Sequence, residues 1–341
     1  MPKPRISVVQ YLNTAPLVWG FTHGPLKGNY DLSFTVPSQC AEALRTGAVD
    51  IAIIPAIEYQ RIDDLVILPD LAIASKRRVR SLLLISKVPI SKARSIALDR
   101  SSRSTQALTK ILCARHWKIA PEFFEMPPDL DAMLRKADAA LLIGDPALRV
   151  SLATKPHAAA NVGAEAARTA ARPIRSAERG DSGRHGEIRD GDSAAGGAET
   201  CDAAKLGVAG GGTLHVYDIV GQWRALTGLA AVLAVWAARP AVATPDVVAD
   251  FHTSRAFGLQ HLDELCAESA TELELPAEAL RTYLVDNIDF TLDQENRAGL
   301  AAYFAEAAAL KLIPAAKPVT VAPGPLARFL EADAAAFAKP R

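Results

Sequence analysis

The sequence predicts an α/β protein of two lobes with a ligand cleft between them, and three features carry that prediction. Short β-rich runs alternate with helical patterns through residues 5–60, the alternation starts afresh after Pro89, and a mostly helical tail follows Thr244. Such alternation is the pattern of a parallel sheet flanked by helices. Its repetition divides 341 residues into two units, in keeping with roughly 150 residues per domain.

Residues 5–10 read as the first strand, and Tyr11, Leu12 and Asn13 as the loop leaving its C-terminal end. Thr14 is placed to cap a helix whose first turn holds Pro16, where a missing N–H costs nothing. Residues 32–36 form the second strand; Pro37 and Ser38 open a helix over 39–46, which Gly47 stops. Residues 50–54 are a nearly continuous apolar run, suited to a strand covered on both faces. Pro55 ends it and Ala56 begins a short helix to Gln60. Strands at 66–73 and 79–86 follow, separated by the basic turn Ser75-Lys76-Arg77-Arg78, with Ser81 inside the second of them.

The second unit repeats the plan. Residues 95–98 are a strand, Ser101-Ser102-Arg103-Ser104-Thr105 caps a helix over 106–115, and 123–126 is a strand. A capped helix over 127–137, a strand at 139–143 and a helix starting at Asp145 complete it. From Thr154 to Gly212 the chain is built from Ala, Gly, Arg, Asp, Glu and Ser. Such a segment buries too little apolar surface to offset its ordering entropy, so a disordered insertion is expected. Its arginines are interleaved with acids, which favours a tolerated surface insertion over a binding segment. Order returns at 214–219, a helix spans 220–226 and a strand 229–237. The domain plan is therefore residues 1–88 in the first lobe, 89–228 in the second with the insertion 154–212, and 229–341 returning to the first lobe with the C-terminal helices.

Composition excludes several classes. Lys plus Arg and Asp plus Glu are both 38, and aromatics are 6%. Neither nucleic acid nor an anionic membrane is an expected partner of so balanced and aromatic-poor a chain. The first residues turn polar before any apolar signal run develops, and the apolar stretch 229–238 is too short for a membrane span, so a cytoplasmic protein is expected. The four cysteines stand far apart without a CxxC pair, and the seven histidines show no metal-ligand spacing; no metal, disulfide or cofactor is expected. His157 and His185 fall in the insertion. Nucleophile-elbow, P-loop and dinucleotide fingerprints are absent.

What remains are small polar residues at strand ends. In 101–105, hydroxyls coincide with a helix N-terminus, whose free N–H groups and dipole suit a carboxylate or phosphate; from spacing alone a plain helix cap serves equally. Asn13 and Asp145 are each a cap or a ligand-facing residue, and Glu58 reads as a solvated helix residue. These residues by themselves describe a two-lobed anion-binding protein.

Longer segments say more. QYLNTAPLVWGF (10–21), VDIAIIPAIEY (49–59), LPDLAIAS (68–75), VRSLLLISKVPI (79–90), ALDRSSRSTQAL (97–108), MPPDLDAMLRKADAALLIGDPAL (126–148) and YDIVGQWRALTGLAAVLAVWAAR (217–239) resemble, in this order, the chorismate dehydratases of the futalosine menaquinone pathway. The resemblance implies a type 2 periplasmic-binding-protein-like fold and loss of water from chorismate, giving 3-[(1-carboxyvinyl)oxy]benzoate, without cofactor. It places Asn13 beside the reacting ring and Ser81 on a substrate carboxylate or the leaving group. Ser102, Arg103, Ser104 and Thr105 then hold the other carboxylate, with Thr14 and Ala56 nearby and Gly144 and Asp145 on the opposite lobe. Two departures stand out: the long insertion, and Lys76-Arg77-Arg78 where an acidic or small residue, Gly and Pro are usual, which adds positive potential expected near the cleft. The sister enzyme forming 1,4-dihydroxy-6-naphthoate shares the implied fold, but residues 142–145 and 224–229 look like the dehydratase. A solute-binding protein would be expected to carry a secretion signal, and an effector-binding domain a helix-turn-helix.

Overall fold

The computed structural model describes residues 3–154 and 198–323. In chain order the strands are β1 (Arg5–Val9), β2 (Asp31–Thr35), β3 (Ile51–Pro55), β4 (Val66–Ser75), β5 (Leu82–Ser86), β6 (Ser95–Asp99), β7 (Glu122–Met126), β8 (Ala139–Ile143), β9 (Glu199–Asp202), β10 (Thr213–Asp218) and β11 (Ala231–Ala238). The helices are α1 (Ala15–Thr22), α2 (Pro37–Arg45), α3 (Ala56–Tyr59), α4 (Arg103–Arg115), α5 (Leu130–Lys136), α6 (Gly144–Ala153), α7 (Ile219–Thr227), α8 (Pro245–Gln260), α9 (Leu262–Leu273), α10 (Ala277–Asp286) and α11 (Gln294–Ala309).

Two sheets result, ordered β2-β1-β3-β11-β4 and β7-β6-β8-β5-β10-β9. Both are mixed where a parallel sheet was expected. The β1–β2, β1–β3, β6–β7 and β6–β8 pairs are parallel; β5 runs against β8 and β11 against β3 and β4. β5 and β11 each enter from the other lobe and arrive with the opposite direction, and the edge strand β9 runs against β10 within the second lobe. β5 belongs to the second sheet, which moves the first crossover from residue 88 to the segment 76–81. The return crossover runs through α7.

The second sheet shows why its strands read as apolar runs. On β5 and β8, Leu82, Leu84, Ala139, Leu141 and Ile143 join the larger core, which continues into the first lobe. Their neighbours Leu83, Ile85, Ala140 and Leu142 join a separate core beneath α5 and α6. Successive side chains alternate between faces, and both faces are covered. In the stretch expected to be disordered, residues 198–212 instead carry β9 and a short 3-10 turn. β9 adds an edge to β10 with Cys201 buried, so burial of its apolar residues accompanies pairing. The rest of that insertion, 155–197, lies outside the described residues.

Glu58, expected in solvent, is fully buried. Its carboxylate meets Arg45 Nη2 at 2.5 Å, Arg61 Nη1 at 2.8 Å and Arg103 Nη1 at 2.9 Å. Three guanidiniums make an otherwise costly buried charge tolerable, and they tie α2 and α3 to the first turn of α4. The helical layer closes on α1 through glycines: a Cβ on Gly20 would stand 2.5 Å from Ser254 Cα, and one on Gly258 would stand 2.1 Å from the Pro16 carbonyl oxygen. Close approach of α1 and α8 therefore requires hydrogen at both positions.

Gly258→Ala is expected to destabilise the protein by about 1–3 kcal/mol through overpacking, read as a lower urea midpoint at unchanged slope. Glu58→Gln leaves three guanidiniums facing a neutral amide, and a loss of similar size, about 1–3 kcal/mol, is expected. An unchanged midpoint would show that the arginines are satisfied without the carboxylate.

Candidate active site

The cleft forms where strand ends of both sheets face each other. Its cavity encloses about 50 Å³ and is lined by Tyr11 and Asn13 after β1, Ser102, Ser104 and Thr105 at the head of α4, and Gly144 at the head of α6. Val9, Ile73, Leu82, Ile143 and Leu233 supply its apolar walls. A wider groove lies alongside, sharing Val9 and Tyr11 with the cavity and bounded by Trp19, His23, Phe34, Asp145, Glu268 and Glu272. The Tyr11 ring is the wall common to both.

Asn13 is nearly buried and sits in the 3-10 turn Leu12–Thr14 that leads into α1. Thr14 holds the helix boundary but makes no side-chain cap; its hydroxyl donates to Asn13 Oδ1 at 3.4 Å. Across the cleft, α4 starts at Arg103, three residues before the start at 106 expected from the sequence. Ser102 precedes it without a side-chain cap, because its hydroxyl donates to Thr105 Oγ1 at 2.7 Å instead. The first-turn N–H groups are thus left without a capping side chain beside the cavity, where they and the helix dipole favour an anion. Ser104 is fixed from the first lobe: its Oγ accepts the Ile57 N–H at 3.1 Å and its carbonyl accepts the Tyr303 hydroxyl at 2.9 Å.

Five of the expected site residues do not line the cavity, Thr14 at the boundary of α1 among them. Arg103 turns away from the cavity into the Glu58 cluster. Ala56 is fully buried at the start of α3, next to Pro55, which does line the cavity. Ser81 is also buried, outside the cavity wall, and its Oγ accepts the Tyr283 hydroxyl at 2.8 Å. Asp145 borders the outer groove, within the first turn of α6, and its Oδ1 accepts the Leu12 N–H at 3.1 Å, linking the two lobes.

The crossover before Ser81 is not strand but a bend. Arg80 adopts a φ of 62°, a left-handed conformation unusual for a side-chain-bearing residue. It is held by Asp218, whose Oδ2 accepts the N–H groups of Val79 at 3.1 Å and Arg80 at 2.7 Å. The Asp218 Oδ1 also accepts the Gly221 N–H at 2.8 Å, capping α7. Burial pushes the Asp218 carboxyl above the usual range, against three N–H bonds and Arg78, which favour the anion. The basic turn does not reach the cavity: Lys76 Nζ pairs with Asp289 at 3.0 Å and Asp293 at 2.5 Å, and Arg78 Nη1 with Glu199 at 2.8 Å. The positive potential expected near the cleft is spent on the C-terminal helices and on β9.

Gly144 needs both its hydrogen and its backbone freedom. Its φ is +64°, and a Cβ there would lie 2.8 Å from the Tyr11 ring, while its N–H donates to the Ser81 carbonyl at 2.8 Å. Burial pushes the Tyr11 hydroxyl up to about 12, with Ser101 beside it opposing the rise. Ser101 donates its N–H and hydroxyl to Asp99 Oδ1 at 2.9 and 2.7 Å. Sequence reasoning missed Tyr11, Tyr283 and Asp218. Tyr11 lay inside a segment already singled out, whereas Tyr283 looks like any core aromatic on a helix face. Among the described residues no three His, Cys, Asp or Glu side chains are grouped to hold a metal, and no helix is long and apolar enough to cross a membrane.

Asp145 offers a pH test. Burial is the main cause that pushes its carboxyl up to about 6 from 3.8, Glu272 adding to it and the Leu12 N–H opposing it. Between those values the folded chain binds a proton that the unfolded chain does not, so this group costs stability as pH rises from about 4 to about 6. Asp145→Asn is expected to raise the thermal midpoint at pH 7.5, with the difference vanishing near pH 4. An equal difference at both pH values would assign the titration to another group.

A family profile described as menaquinone biosynthesis matches residues 4–170 and 203–309. Chorismate dehydratase of Thermus thermophilus is 26% identical over 311 residues, which are 91% of this chain and 96% of that protein. Among solved structures, a protein of Archaeoglobus fulgidus superposes with a TM-score of 0.63 at 18% identity, covering 91% of this chain and 98% of that one. The periplasmic aliphatic sulphonate binding protein of Escherichia coli does so with a TM-score of 0.54 at 16% identity, covering 95% of each. At such identities these structures establish the fold, a two-lobed periplasmic-binding-protein-like architecture. With the profile matched over most of its length, the chain belongs to the menaquinone biosynthesis family.

Proposed function

We propose that the protein is a chorismate dehydratase, a cytoplasmic hydro-lyase of the futalosine route that converts chorismate to 3-[(1-carboxyvinyl)oxy]benzoate and water without a cofactor. The observation that carries this reading is the pairing, across one narrow cleft, of the uncapped α4 N-terminus bearing Ser102, Ser104 and Thr105 with the Asn13 amide. A dicarboxylate with a reacting ring suits that arrangement. One carboxylate takes the N–H groups and hydroxyls of α4, while the ring lies against Ile73, Leu82, Ile143 and Leu233.

Elimination breaks the ring C–O bond and one ring C–H bond, and the ring becomes aromatic. Aromatisation supplies the driving force, so the protein's work is to position the diene and stabilise the departing hydroxide. Asn13 donates to that oxygen from its amide. None of the described residues lining the cavity is a carboxylate, imidazole or amine; the proton is taken by the substrate's own enolpyruvyl carboxylate, and water leaves. A cavity of about 50 Å³ holds only a few waters, so the lobes must part at 76–81 and at α7 to admit substrate.

The direct test is incubation of purified protein with chorismate alone, followed by liquid chromatography with mass detection. A product lighter by one water with a benzoate-like spectrum is expected; unconsumed chorismate with folded protein would overturn the assignment. Asn13→Ala is expected to lower turnover by about 10²–10³-fold, the loss of one preorganised donor, with an unchanged circular dichroism spectrum. Ser102→Ala and Thr105→Ala, which weaken ground-state anchoring of a carboxylate, should raise KM by about tenfold and leave kcat within a few-fold.

A further inference from the structure

Tyr283 belongs to α10, a helix of the C-terminal layer more than 200 residues from the first cleft loop, and nothing in the local sequence marks it as functional. Its side chain is almost wholly buried, yet its hydroxyl is not aimed at a backbone carbonyl, as a buried tyrosine hydroxyl commonly is. It donates to Ser81 Oγ at 2.8 Å, and the Asn13 side chain stands beside the same hydroxyl and acts on it electrostatically. One phenol therefore stands between Asn13, in the turn after β1 of the first sheet, and Ser81, which precedes β5 of the second.

We infer that Tyr283 is a positioning residue for the reaction proposed above: its hydroxyl orders Asn13 and Ser81 into one directed hydrogen-bond chain and sets the orientation of the Asn13 amide in the cleft. The direction follows from donor and acceptor counts. An amide NH₂ can only donate to a hydroxyl oxygen, and a hydroxyl has one proton to give. With the Asn13 amide donating to Tyr283 and Tyr283 donating to Ser81, the Asn13 carbonyl oxygen is left to accept from Thr14 Oγ1. The Ser81 proton is left for a further acceptor. Remove the phenol oxygen and the amide loses the contact that distinguishes its two flips, although its place in the turn before α1 stays. The Tyr283 oxygen does not itself line the cavity, so its effect passes through Asn13 and Ser81. This inference rests on the dehydratase reading for its kinetic consequence but not for the hydrogen-bond chain itself.

Tyr283→Phe keeps the ring and deletes the oxygen. For a chain that orients the reacting donor, kcat for chorismate should fall by about 10²-fold, KM should change less than threefold and the thermal midpoint should stay within a few degrees. Ser81→Ala added to Tyr283→Phe should cost little more than either change alone, because both break one chain. The Asn13 side-chain amide resonances, assigned by their loss in Asn13→Ala, should shift in Tyr283→Phe. Wild-type kcat in a folded Tyr283→Phe protein, or multiplicative losses in the double variant, would overturn the proposal. So would unmoved amide resonances, which read the chain even if wild-type protein leaves chorismate untouched, an outcome that by itself sinks only the functional reading.

Discussion

Both passages of the chain between the lobes are anchored on one buried carboxylate. Asp218 ends β10 and starts the return through α7, and in the same place it gathers the N–H groups of Val79 and Arg80, the last residues of the outward crossing before Ser81. Three backbone donors offset part of the cost of burying the charge. They also hold Arg80 in a left-handed conformation that its side chain disfavours. The contacts that follow that knot inherit its placement: the Ser81 carbonyl receives the Gly144 N–H, and the Ser81 hydroxyl receives Tyr283.

The cleft is assembled from loop ends, and each is fixed by a different kind of contact. Asn13 is set by α1, whose distance from α8 is dictated by Gly20 and Gly258. The first turn of α4 is set by the Glu58 cluster on one side and by Ile57 and Tyr303 on Ser104 on the other. Gly144 is set by the Tyr11 ring. Most of these supports come from the first lobe, including those on α4, which follows β6 of the second sheet. Helix α4 thus carries its N–H groups into the cleft while remaining clasped by the opposite lobe. Few ionised side chains are involved, and electrostatics at the cavity falls to backbone N–H groups and hydroxyls, which need little reorganisation as charge moves.

Arg103 and the basic turn show how charge read along a chain can mislead. Both sit in segments that approach the cleft, and both are absorbed by acids on its far side: Arg103 by Glu58, Lys76 by Asp289 and Asp293, Arg78 by Glu199. A long cationic side chain reaches several ångströms in any direction from its backbone. Which acid it meets depends on elements distant in sequence, whereas the small residues Asn13, Ser102 and Thr105 stay where their backbone puts them and line the cavity.

The order and type of most elements were legible in the sequence, because these follow from local periodicity, proline and glycine placement and helix-start chemistry. Long ordered motifs carried the family as well. Tertiary structure alone decided that β5 joins the second sheet and β11 lies between β3 and β4, since strand partners are chosen by faces buried from far along the chain. It decided that Glu58 is buried, that β9 orders part of a polar stretch, and that Tyr283 meets Ser81 across 202 positions. A residue's chemistry can be read in place, but its partner is set by the packing of surfaces that local sequence does not contain.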